Sequence, residues 1–161
     1  MPIARAVARR RRTAMTTAAA YLIALATIVF WPEHVDAWAA RWYPELIRSA
    51  PSLFPFGVDA TLNVILFLPF GGLLNSVLPR RPLSAIGLAW VTSLLIEIAQ
   101  GLFLPGRTSS AIDVAANTLG AALGYAATAL VRWQRRERSK RRLTTTATAD
   151  SADTTSASPA A

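Results

Sequence analysis

Four apolar blocks, each about 20 residues long, dominate this chain: residues 14–31, 59–78, 83–104 and 111–133. At 1.5 Å of helical rise per residue, a block of about 20 residues crosses the ~30 Å hydrocarbon core of a bilayer. A chain of 161 residues would ordinarily make one soluble domain, but here the apolar residues, 53% of the total, are gathered into span-length runs. With that material committed to lipid, no sizeable soluble core remains. The expected fold is all-α, an integral membrane four-helix bundle. It divides the chain into a basic arm (1–13), a membrane domain (14–133) and a tail (134–161). The tail is basic at first, then rich in Thr, Ala and Ser, and from residue 143 it is expected to be disordered for want of apolar payload.

The net charge of +8 could mark a nucleic-acid binder, but its placement argues for a membrane. Of the 17 basic residues, 14 fall on one side of the four-span topology: Arg5, Arg9 to Arg12, Arg80, Arg81, Arg132, Arg135, Arg136, Arg138, Lys140, Arg141 and Arg142. Only Arg41, Arg48 and Arg107 fall on the other. This is the positive-inside pattern, and it predicts a multi-pass protein of the cytoplasmic membrane with both termini in the cytoplasm. The basic segments then meet anionic headgroups, and no nucleic-acid partner is expected. Sixteen arginines to one lysine, with abundant alanine, suggest a high-GC bacterial source. A cleaved signal peptide is the competing reading of the N-terminus, since Ala37-Trp38-Ala39 resembles a cleavage site. The apolar stretch is span-length, however, and Glu33 and Asp36 separate it from that site.

The first long loop is too aromatic for a simple linker. Val35, Trp38, Trp42 and Leu46 recur at three- and four-residue spacing, with Glu33, Asp36, Arg41 and Glu45 off that stripe. The pattern predicts a short amphipathic helix in the headgroup layer, broken or kinked at Pro44, with Pro51 and Pro55 holding the next stretch extended. His34 is the only histidine and cysteine is absent, so disulfides, thiolate metal sites and zinc are not expected, nor is any cofactor.

The remaining spans carry few polar side chains, and these share faces. Asp59, a plausible N-cap, and Asn63 lie four apart at the start of the second span. Pro69 with Gly71-Gly72 predicts a kink and a close approach. Glu97 and Gln100 lie three apart near the end of the third, within an otherwise apolar run. Ser110-Ala111-Ile112-Asp113 has capping-box spacing with Asp at the fourth position. It opens a span whose one stripe holds Asp113, Asn117, Gly120 and Gly124. A carboxylate at the centre of a membrane helix costs about 2.5–3.5 kcal/mol on insertion scales, so Glu97 needs a partner or a wet cavity. The topology puts Asp59, Asn63, Glu97, Gln100, Asp113 and Asn117 at similar depth in the outer half, with Arg107 on the adjoining loop. Three carboxylates beside one arginine imply that Glu97 carries a proton or that a cationic group completes the cluster. The bland alternative is that the asparagines and Gln100 only join helices and the aspartates only cap them.

On these residues the chain resembles the VanZ-like family of small bacterial membrane proteins. The shared pattern is Asp59 and Asn63 ahead of Leu66-Phe67-Leu68-Pro69-Phe70-Gly71, then Glu97-Ile98-Ala99-Gln100, then Arg107, Asp113 and Asn117-Thr118-Leu119-Gly120. It covers about residues 59–125 and leaves out the first span, the long loop and both tails. The family is named for a member whose presence gives resistance to the glycopeptide teicoplanin, so the resemblance implies a cell-envelope role. Three functions follow as expectations. The foremost is a non-enzymatic module whose polar cluster binds a lipid headgroup or a lipid-linked cell-wall precursor. The alternative is a membrane-embedded enzyme on a lipid-linked phosphate, with Glu97 as acid or base, Arg107 as phosphate clamp and Asp59 with Asp113 as Mg²⁺ ligands. No nucleophile elbow or phosphate-cradling glycine loop supports it. A transporter or channel ranks last, because four spans without an internal repeat argue against an alternating-access monomer, though a homodimer is possible, and the polar residues stop halfway across.

Overall fold

The computed structural model describes residues 2–30, 40–104 and 110–156. Their regular elements are all helical: α1 (Pro2–Val29), α2 (Tyr43–Ser49), α3 (Val58–Val77), α4 (Pro82–Phe103) and α5 (Ala111–Ser156), with short 3₁₀ turns at Ala40–Trp42 and Pro51–Leu53. Four helices are long and apolar enough to cross a membrane, over Arg12–Val29, Val58–Val77, Pro82–Phe103 and Ala111–Ser139. Cross-helix bonds fix their directions. Asn63 meets Asp113 and Asn75 meets Thr128, so α3 and α5 run parallel. Gln100 near the end of α4 meets Val29 at the end of α1, so these two run together and opposite to the first pair. One end of the bundle, the distal end, therefore collects the end of α1, the start of α3, the end of α4 and the start of α5. The proximal end holds the α3–α4 turn and the basic segments.

The α3–α5 contact is the backbone of the bundle, and glycine makes it. A Cβ on Gly71 would strike the carbonyl of Ala121, one on Gly120 the carbonyl of Val64, and one on Gly124 the carbonyl of Leu68. Only residues without a side chain let two helices touch along their backbones, which is how membrane helices gain packing without a hydrophobic drive. α4 lies against this pair through small residues, and Ala85 and Ala89 pack with Leu74, Ala121 and Tyr125. α1 is attached more lightly: Leu25 and Val29 pack on Phe67, whose ring meets Phe70 edge-on at 5.8 Å. Pro69 sits inside a continuous α3, and the Tyr21 hydroxyl donates to the Leu66 carbonyl (2.9 Å) in the turn before it. Ile65, Leu95, Leu102 and Leu119 point outward, as lipid-facing residues must.

Several local expectations change. α3 begins at Val58 with Gly57 as its N-cap, at φ 92°, so Asp59 is a first-turn residue and not the cap. Pro44 does not break α2. It occupies the first turn, where its missing N–H has no intrahelical partner to lose, and it marks the change from 3₁₀ turn to α-helix. Pro51 likewise opens a 3₁₀ turn in place of an extended stretch. Within the aromatic loop Trp42 and Leu46 are exposed, while Val35 and Trp38 lie outside the described residues. The basic arm is helical from Pro2, continuous with the first span. At the other terminus α5 runs on to Ser156, so helical backbone extends into the stretch expected to be disordered. The sequence of that stretch has no apolar stripe.

Candidate functional site

The polar residues of α4 lie on its packed stripe. Ala85, Ala89, Ser93, Glu97 and Gln100 are its buried residues, spaced by four, four, four and three. Small side chains on that face let α5 come close, and the two longer ones reach past it at the distal end.

Glu97 is 5% exposed, and its Oε2 accepts a hydrogen bond from the backbone N–H of Ser110 at 2.9 Å. Ser110 is the residue that opens α5. Its carbonyl accepts from the amides of Asp113 and Val114, and its Oγ lies 3.4 Å from the Asp113 amide. In a capping box the acid at the fourth position reaches back to the N–H of the cap residue. Here the neighbouring helix supplies that acid. Asp113 is left to turn sideways, and its Oδ1 accepts from Asn63 Nδ2 at 2.9 Å. Three helices are thus joined through the first turn of α5, with both carboxylates set where the helix dipole favours negative charge.

One turn below, Asn117 Nδ2 donates to Ser93 Oγ at 3.0 Å. Asn117 is 3% exposed, and its Oδ1 is buried without a hydrogen-bond partner among the described residues. Gln100 belongs to the same α4 stripe but serves a different helix, donating from Nε2 to the Val29 carbonyl (2.7 Å) at the C-terminus of α1. Of the expected cluster, then, Asn63 with Asp113, Glu97 with Ser110, and Asn117 with Ser93 come together in two layers. Asp59 does not join them: its side chain is exposed. The Asn63–Asp113 register puts residue 59 ahead of Ala111, where α5 begins, so nothing of α5 covers it. Arg107 lies outside the described residues. Among those residues no three His, Cys, Asp or Glu side chains gather as a metal site would require.

A second polar group at the proximal end was not expected as a unit. Asn75 Nδ2 donates to Thr128 Oγ1 (2.9 Å), and Arg132 donates to the Asn75 carbonyl (2.9 Å) and to Ser76 Oγ (2.8 Å). The Tyr125 hydroxyl donates to the Leu78 carbonyl (3.0 Å) and accepts from the Arg81 amide (3.1 Å). These bonds satisfy the last carbonyls of α3 and the tight turn at Arg80, whose φ is 64°. The sequence signal was Thr128, which extends the Asp113–Asn117–Gly120–Gly124 stripe by four more residues.

Beside the distal cluster a groove of about 730 Å³ runs between α4 and α5. Its walls are apolar along Trp90, Leu94, Val114 and Leu119, and Glu97 and Ser110 line it at the distal end. A groove open to the side of a bundle, apolar along its length and polar at one end, has the amphipathic pattern of a lipid.

The VanZ/LLP1 family model matches residues 18–132, more than half of the chain. The chain belongs to the VanZ/LLP1 family. The match takes in most of the first span and all of the aromatic loop, which the motif resemblance had left out. With its four apolar helices, this VanZ/LLP1 chain is a multi-pass membrane protein. Searches of curated proteins and of solved structures give no match.

Proposed function

We propose that this VanZ/LLP1 protein binds a lipid headgroup or a lipid-linked cell-wall precursor at the outer leaflet of the cytoplasmic membrane, and that it thereby alters sensitivity to glycopeptides such as teicoplanin. The observation that carries this reading is the α4–α5 groove, apolar from Trp90 to Leu119 and closed distally by Glu97 and Ser110. A chain of the lipid lies along the apolar walls, and its polar part meets the first turn of α5. The positive-inside bias puts both termini in the cytoplasm and the distal cluster toward the exterior. The polar network of Asn63, Glu97, Asp113 and Asn117 holds α3, α4 and α5 in the arrangement that forms the groove, with Gln100 fixing α1 alongside.

Photocrosslinking in proteoliposomes tests it. A photoactivatable phospholipid or isoprenoid phosphate should label the α4–α5 faces, and Ala115→Trp, which fills the groove from an exposed position, should abolish the label while leaving the protein folded. Cells producing wild type and Ala115→Trp should differ in teicoplanin susceptibility. Labelling that is unchanged by Ala115→Trp overturns the reading.

A further inference from the structure

Remote from the α4–α5 groove, α1 carries an exposed face whose chemistry is of the opposite kind. A shallow recess open to the surroundings is bordered there by Ala8, Arg9, Arg12, Thr13 and Thr16, all exposed. Residues 9, 12, 13 and 16 recur at three- and four-residue spacing, so two guanidinium groups and two hydroxyls share one helix face. Both threonine hydroxyls donate to their own helix, Thr13 to the Arg9 carbonyl (3.1 Å) and Thr16 to the Thr13 carbonyl (2.9 Å). Both hydroxyl hydrogens are thereby committed to the helix, and the two guanidinium groups are the donors this face offers to a ligand. Neither arginine forms an ion pair with any described carboxylate, and both are exposed.

The level of this face across the membrane decides what reaches it. The apolar window of α1 runs over the 18 residues Arg12–Val29, about 27 Å at helical rise and close to the hydrocarbon thickness. Val29 is tied to Gln100 near the distal end of α4, so Arg12 falls at the opposite membrane boundary. The exposed residues Arg80, Arg81, Arg135 and Arg136 belong to the same proximal end. Headgroup phosphates are the fixed anions at that level. Guanidinium is the side-chain group best shaped to take a phosphate through paired N–H donors.

We propose that Arg9 and Arg12, on one exposed face of α1, bind the phosphate of an anionic phospholipid in the leaflet next to the chain termini. The site holds α1, the most lightly packed span, against the membrane boundary. It does not depend on the groove or on what the groove binds.

The test uses the full chain in nanodiscs of mixed phosphatidylglycerol and phosphatidylcholine, with the retained lipid read by native mass spectrometry. Wild type should enrich phosphatidylglycerol. The pair Arg9→Gln, Arg12→Gln should lower that enrichment about 25-fold, roughly fivefold for each cation removed at the surface. The pair Arg9→Lys, Arg12→Lys keeps both charges but not the paired donors, and should fall between wild type and the glutamine pair, which separates loss of the site from loss of the fold. Soluble glycerol phosphate should not compete, because it lacks the membrane that sets the level. Equal enrichment in wild type and the glutamine pair overturns the proposal. So does binding of glycerol phosphate or of an oligonucleotide as tight as that of the lipid.

Discussion

Glu97 of α4 caps α5: its carboxylate accepts the amide hydrogen of Ser110, the residue from which α5 starts. A carboxylate that is costly to place in a membrane helix is thus held by a structural contact as well as by the groove it lines. The contact predicts a split between two substitutions. Glu97→Gln keeps a carbonyl oxygen for the Ser110 amide and should leave thermal stability in detergent nearly unchanged. Glu97→Leu leaves that amide without its acceptor and should cost about 1–3 kcal/mol. If both variants melt together with wild type, the cap contributes nothing. A glutamine variant that is stable yet fails to bind lipid would assign the charge itself to function.

The glycine seam makes a sharper prediction. Gly71→Ala and Gly124→Ala each place a methyl group on a backbone carbonyl of the partner helix, which no side-chain rotation can relieve. Each should cost about 1–3 kcal/mol or more, through forced separation of α3 and α5. Gly87 on α4 has nothing within reach of an added Cβ. Gly87→Ala should therefore stabilise by about 0.8–1 kcal/mol, the difference in helix propensity. Unfolding in mixed micelles checks all three, and equal effects at the three positions would contradict the seam.

The seam also marks where the sequence is legible. Asp113, Asn117, Gly120 and Gly124 declare one face by spacing alone, and the structure packs Asn63 and the backbone carbonyls of Val64 and Leu68 on it. Glu97 declares itself by its cost in lipid. Asp59 misled, because periodicity relates residues within a helix and says nothing of where a neighbouring helix begins. Ser93 and Asn75 were passed over for the same reason: a small polar residue is ambiguous until its opposite number is known. The exchange of capping partners, with Glu97 replacing Asp113 at the Ser110 amide, depends on the relative height of α4 and α5. No local pattern encodes that height.

The Asn63–Asp113 bond is the direct polar link between α3 and α5 at the distal end. Interhelical hydrogen bonds in membranes average about 0.6 kcal/mol in double-mutant cycles, with a maximum near 1.7. A cycle of Asn63→Leu and Asp113→Ala, each of which removes the bond, should return a coupling in that range, at the upper end if the carboxylate is charged. Additive effects would mean that the two side chains act separately.

The attachment of α1 rests on few points, chiefly the Tyr21 hydroxyl on Leu66, the Gln100 amide on Val29, and the contact of Leu25 and Val29 with Phe67. Gln100→Leu with Tyr21→Phe removes both polar ties while leaving the glycine seam intact. Hydrogen exchange should then rise along residues 14–29 of α1 and stay unchanged in α3 and α5, because a lightly packed helix opens without unfolding the rest. Each tie alone should have a smaller effect. A uniform rise across all four spans would instead make α1 an integral part of a single cooperative bundle.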